Sequence, residues 1–272
     1  MQLHKKIIYE ILPFLEWNLY HHSIFKKILI VAKTLFNIGV LLWICIYLLP
    51  PFLYKEHYSS GNINLYLYQK PFDKEARLYS NLVKSIDINI KKNKLYNSFA
   101  KVNILYINKL WLYRLLNPMD FIVAPSYAST FKNTAFVHTI DIKNNNAYRY
   151  PKDANVESLS SVLLHESVHV LQYNKYGFFQ MRLMPKWVLE GYAEYSEYGI
   201  SRRFTEQMLY QILQENLNNL QMWQKYILWG FMVKHAIEKM HKSVDDLHLG
   251  KVEYDEVLDS LLREYGVAKD AK

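Results

Sequence analysis

Residues 34–53 read TLFNIGVLLWICIYLLPPFL and carry no charged side chain. An uncharged run of this length restricts the chain more than any other of its segments. At 1.5 Å per residue, a helix of about 20 residues crosses a hydrocarbon core of roughly 30 Å. A helix on the surface of a globular protein shows a polar face instead. The expectation is therefore a transmembrane anchor over 34–53, with Pro50 and Pro51 near its far end, where a helix stops. Lys5, Lys6, Lys26, Lys27 and Lys33 precede the run, whereas Lys55 beside Glu56 follows it. By the positive-inside rule, residues 1–33 form a basic cytoplasmic segment and everything after about residue 54 is extracytoplasmic, as for a single-pass protein of a bacterial inner membrane. No small-x-small cleavage site follows, which favours an uncleaved anchor over a signal peptide. The stretch IIYEILPFLEWNLY (7–20), interrupted by Pro13, reads as a short helix on the inner membrane surface or as a segment packed on a neighbour.

Beyond a polar connector at 54–62, residues 63–272 read as one folded domain. INLYLYQ (63–69), KVNILYIN (101–108), DFIVAP (120–125) and TAFVHTIDI (134–142) are rich in β-branched and aromatic residues and predict strands. EARLYSNLVKSI (75–86) has helical spacing, with Leu78, Leu82 and Ile86 on one face. KNNNAYRYPKDAN (143–155) is turn-like. After Val156 the pattern turns helical, over 156–174, 187–199, 202–220, 222–241 and 253–265. Strands first and helices later imply an α+β domain with a small mixed sheet.

Chemistry concentrates at HESVH (165–169). Residues four apart stack on one helix face, so His165 and His169 can present their imidazoles to one point. Glu166 lies about 100° round the helix from His165, within reach of a water at that point without displacing it. Zinc needs neutral imidazoles, a third protein ligand and an open position for water. The chain has a single cysteine, Cys45, which rules out a cysteine-type zinc cluster and leaves His and Glu as ligands. WVLEGYAEY (187–195) supplies a carboxylate: Glu190 as ligand, with Gly191 allowing another backbone to approach and Glu194 one turn on. Glu194 is expected to accept the other N–H of a ligand histidine and so set its tautomer.

HExxH followed by W-x-x-E-G-x-A-E-Y resembles the gluzincin metallopeptidases, especially the bacterial peptidase MA-like domains and, more distantly, aminopeptidase N-type enzymes. The clear resemblance covers residues 156–199, with a weaker echo through 222–265. It implies a zincin-like domain: a small mixed sheet, then the active-site helix and a C-terminal helical part. It also implies one zinc ion per chain on His165, His169 and Glu190, and hydrolysis of a peptide or protein substrate by a zinc-bound water with Glu166 as general base. An edge strand pairing with extended substrate is implied as well, and TAFVHTIDI is the candidate. In related domains a tyrosine that stabilises the oxyanion comes from the helix matching MWQKYILWGFMVKH (222–235), which points to Tyr226, with His235 as the alternative. An inactive zincin-like module that binds partners at the membrane is the competing reading; Glu166, the base, speaks for catalysis. An HExxH inside a bilayer helix is excluded, because the apolar run around HESVH is only about ten residues long and ends in QYNKY.

The remaining candidates carry less. His138 and Trp187 read as structural, and Tyr192 and Tyr195 as neighbours of the ligand. The formal charge of +8 comes from scattered lysines, with no arginine-rich run or glycine-rich phosphate loop, so nucleic acid is not expected as a partner.

Overall fold

The computed structural model describes residue 24 and residues 26–41, 54–116, 128–131, 133–148, 156–198 and 204–267. The chain divides into two units, Met1–Pro50 and Pro51–Lys272. The described part of the first is helical over 26–41, a stretch that includes Lys26, Lys27 and Lys33. It rises about 24 Å, short of a hydrocarbon core. Among the described residues no helix is long and apolar enough to cross a membrane. This overturns the anchor expected at 34–53, and with it the single-pass, extracytoplasmic placement. The absence of charge in a run sets neither the length nor the limits of a helix. The later part of that run, residues 42–53, lies outside the described residues, as do the segment at 7–20 and the strand expected at 120–125.

The second unit begins with strand β1 (Glu56–Ser60), inside the stretch expected to be a connector. It pairs antiparallel with β2 (Ile63–Leu67), Ser60 opposite Ile63. Alternation along β2 turns Ile63, Leu65 and Leu67 into the core and leaves Asn64 and Tyr66 half-buried. Helix α1 (Asp73–Ile90) follows, burying Leu82, Val83, Ile86 and Ile90. It crosses over to β3 (Val102–Tyr106), parallel to β2. Parallel strands require such a crossover, so helices stand between the strands. The domain is mixed α/β, not strands first and helices later.

After the short helix α2 (Leu110–Leu116) come β4 (Ala128–Phe131) and β5 (Thr134–Val137). The described sheet has the order β1-β2-β3-β5-β4, with β5 parallel to β3 and antiparallel to β4. TAFVHTIDI is thus not one strand, and its first half is internal to the larger sheet rather than an edge. Thr139 at φ 52 breaks it, and Ile140–Asp141 starts a second, antiparallel sheet of β6, β7 (Asn146–Tyr148) and β8 (Val156–Ser158). β5 is buried at all four positions, as an internal strand should be. The outer strands of this described sheet are β1 and β4, and β4 is the one that reaches the helix that follows, through Thr130 and Glu166.

Helix α3 (Leu159–Leu183), broken at Gly177 (φ 76), packs Leu163, Leu164, Val168 and Leu171 into the core that holds the inward faces of β2, β3 and β5. The described elements after α3 are helices: α4 (Lys186–Ser196), α5 (Glu206–Leu213), α6 (Met222–Glu238), α7 (Val244–His248) and α8 (Tyr254–Glu264). Gly191 of α4 and Gly230 of α6 sit where these two helices meet. A Cβ on Gly191 would lie 2.5 Å from the Trp229 carbonyl oxygen, and one on Gly230 would lie 2.8 Å from Cβ of Glu194. The glycine after Glu190 is therefore needed for close approach of two backbones.

Candidate metal centre

The start of α3 is held by the turn before β7. Asn145 accepts from the Leu159 and Ser160 backbone N–H groups, at 2.9 and 3.0 Å, through its carbonyl and side-chain oxygens. One and a half turns on, the buried middle of α3 brings His165 and His169 together, their Nε2 atoms 3.1 Å apart. Oε2 of Glu190, from α4, lies 3.4 Å from each of them. Ligands at about 2.0–2.1 Å from a tetrahedral zinc are separated by about 3.3 Å, so this triangle has the size that a zinc ion requires.

The outer nitrogens decide which electron pairs face the triangle's centre. Nδ1 of His165 lies 2.8 Å from Oε1 of Glu197, a carboxylate that also accepts from the Ser161 hydroxyl. Nδ1 of His169 lies 2.7 Å from Oε1 of Gln172. Both partners are acceptors, so both Nδ1 atoms carry the proton and both Nε2 lone pairs point at Glu190. Two lone pairs and a carboxylate converging on one point repel one another unless a cation stands between them. The His/Glu group can therefore bind a metal ion.

Without the metal, protons take the cation's part. Burial opposes the charging of His165, yet Glu190 and Glu197 raise its pKa well above the usual histidine range. His169 is also raised, with burial again opposing and Glu190 driving the shift. Glu190 is pushed below the carboxylate range by His169 and His165 against its own desolvation.

Glu194 does not take the expected role. It stands 3.7 Å from Nδ1 of His165, whereas Glu197 is at hydrogen-bond distance. Burial, with Glu197 adding to it, raises the Glu194 carboxyl above the usual carboxylate range. His165, Glu194 and Glu197 form a second group close enough to hold an ion. That arrangement would use Nδ1 of His165, whose proton is already given to Glu197. The triangle on the Nε2 side is the one with free lone pairs.

Glu166 is buried beside the triangle, and its Oε2 accepts from the Thr130 hydroxyl of β4. The outer strand is thus joined directly to the residue expected to act as base. Tyr226, half-buried on α6, is close enough to feel Glu190, His165, Glu194 and Glu166; burial first, then Glu190, lifts its hydroxyl to about 12. It keeps its proton and remains a donor.

Other candidates fall away from the centre. His235 spends both ring nitrogens on α8, with Nδ1 2.7 Å from Glu264 and Nε2 2.9 Å from Ser260. His138 is held at Nδ1 by the Ile107 carbonyl, 3.0 Å away, and stacks on Tyr113. Trp187 packs edge-on against Tyr254. Tyr192 donates to Asn93 and Tyr195 to Glu238.

Glu197, Gln172 and Thr130 were not expected. Glu197 follows Glu190 by seven residues and Gln172 follows His169 by three, spacings that share a helix face and could have been read from the sequence. Nothing local marks Thr130, whose place depends on the sheet. No protein-family model and no curated protein matches the chain.

Proposed function

We propose that this chain is a zinc-dependent metallopeptidase of the gluzincin type, and the observation that carries the reading is the His165–His169–Glu190 triangle with Glu166 beside it. Two imidazoles and one carboxylate form a three-ligand N/O set that suits zinc and leaves a fourth position for water or substrate. A zinc ion held by His165, His169 and Glu190 would supply a Lewis acid able to polarise a carbonyl and to lower the pKa of a water to about 7. Glu166 then takes the proton of the attacking water and delivers it to the leaving amine. Tyr226 donates its hydroxyl hydrogen to the oxygen on which negative charge develops. β4, outermost in the described sheet and tied to Glu166 through Thr130, offers backbone partners to an extended peptide, which favours a protein or peptide as substrate.

The test uses the full chain. Metal analysis should find about one zinc per folded chain. Glu166→Gln should keep that zinc while losing about 10²–10⁴ in the rate of hydrolysis of an unfolded protein such as casein. A folded wild type holding no zinc would overturn the metal assignment. A wild-type rate in Glu166→Gln would remove Glu166 as the base.

A further inference from the structure

We infer that Gln172 and His248 are positioning residues that hold the His169 imidazole in its metal-binding tautomer through a buried relay. The inference rests on the metal reading above and goes beyond it. The relay begins at His169 Nδ1, 2.7 Å from Oε1 of Gln172. Nε2 of Gln172 lies 3.1 Å from the Leu189 carbonyl and 3.0 Å from Nε2 of His248. Nδ1 of His248 lies 2.7 Å from the Val244 carbonyl.

Donor and acceptor parity leaves one solution. The two carbonyls can only accept, so each fixes the group facing it as a donor. Leu189 therefore sets the Gln172 amide nitrogen towards α4, which turns Oε1 to His169. Val244 sets the His248 proton on Nδ1, which leaves Nε2 of His248 as the acceptor for the second Gln172 N–H. Every hydrogen then has one destination. Flipping the Gln172 amide would place its oxygen against the Leu189 carbonyl and its nitrogen against the His169 N–H. His248 raises the cost of that flip by taking the second amide hydrogen. His169 Nδ1 is thus obliged to donate, and its Nε2 lone pair is obliged to face Glu190.

The surroundings keep the relay rigid and uncharged. Gln172 and His248 are both fully buried. The His248 ring stacks on Tyr176 at 4.7 Å and meets Tyr192 edge-on at 4.9 Å, while its carbonyl accepts from Gln180. Burial pulls the His248 pKa down to about 4, so the ring stays neutral and Nε2 remains an acceptor near neutral pH. The two ligand histidines are therefore oriented by different chemistry. His165 leans on a carboxylate, whereas His169 leans on a neutral amide that reaches α7. Outer partners of ligand histidines commonly change metal affinity by 10–100-fold.

The experiment combines histidine ¹⁵N NMR with zinc affinity measured by chelator competition, on the full chain. In wild type near neutral pH, His248 should carry its proton on Nδ1 both before and after zinc is added. His248→Phe keeps an aromatic ring between Tyr176 and Tyr192 but removes the Nε2 acceptor together with the Nδ1 donor to Val244, and should weaken zinc binding about tenfold; Gln172→Leu should weaken it about 10–100-fold. His248 found protonated on Nε2 would overturn the relay, whether or not either variant folds. Wild-type zinc affinity in folded His248→Phe would overturn it too, because a merely structural ring would change melting temperature alone. A wild type that binds no zinc fails differently: it overturns the metal reading itself, while the His248 tautomer still reports on the hydrogen-bond chain.

Discussion

Replacing Gly191 with alanine adds one methyl group where the backbones of α4 and α6 meet. Its Cβ would stand 2.5 Å from the Trp229 carbonyl oxygen, 2.8 Å from the carbonyl carbon and 3.0 Å from Cγ2 of Val233. Ordinary contact begins near 3.4 Å, so α4 and α6 must separate by most of an ångström. The obstructing atoms at Trp229 are backbone, and no rotamer change relieves them. Overpacking of a tight interface costs about 1–3 kcal/mol, and rigid backbone on both sides places this case near the upper end. Alanine returns about 1 kcal/mol through helix propensity. The net loss is about 2 kcal/mol, or a fall of roughly 4–8 °C in melting temperature for a folded unit of this size. Glu190 is the preceding residue, so the displaced helix should also carry its carboxylate off the triangle and weaken zinc binding. Thermal denaturation by circular dichroism and chelator competition measure the two effects. A Gly191→Ala protein that melts at or above the wild-type temperature would refute the close-approach account of the E-G pair.

The two carboxylates following Glu190 should separate cleanly. Glu197→Gln removes the charge hydrogen-bonded to His165 Nδ1 and should weaken zinc binding about 10–100-fold, whereas Glu194→Gln alters a carboxyl 3.7 Å from that nitrogen and should change affinity less; equal effects in chelator competition would contradict the assignment. Tyr226→Phe should lower kcat about 10²–10³-fold with little change in KM, and an unaltered kcat would exclude it as the oxyanion donor. Metal affinity should fall with acid. Zinc needs neutral imidazoles, and both ligand histidines titrate above their usual range, driven by Glu190 and, at His165, by Glu197 against the opposing effect of burial. Proton competition should therefore weaken apparent affinity as pH falls through the raised titration range of the two imidazoles, with a loss approaching about tenfold per bound proton per pH unit below it; a flat profile would show that the ring nitrogens are not the ligands.

How far the centre could be read in advance depended on whether its partners share a helix. His165, Glu166 and His169 lie on one helix, where a spacing of four is already a contact. Glu190 lies on the next helix, and a recurrent motif marked it. Glu194 and Glu197 both lie on the Glu190 face, so helical geometry admits either as the partner of His165. Their choice turns on about one ångström, 3.7 against 2.8 Å. The outer strand could not be found by pattern. TAFV is the more β-like stretch, and for that reason it is buried inside the sheet, while ASTF, with fewer apolar residues, forms the outer strand. Hydrophobicity reports burial, and an outer strand is less buried. The uncharged run at 34–53 misled for a related cause: a count of uncharged residues is not a helix length.

By itself, the sequence determined the helical register of HESVH, the availability of Glu190 and the glycine that lets its helix approach. Periodicity acts within about one turn, and those features need no more. Tertiary structure decided that His165, His169 and Glu190 form a triangle with 3.1 and 3.4 Å edges, that Glu197 and Gln172 assign both tautomers, and that Thr130 reaches Glu166. It also brought His248 to Gln172 across a separation of 76 residues. Such pairings depend on how α3, α4, α7 and β4 pack, and no local pattern encodes a contact whose partners are distant along the chain.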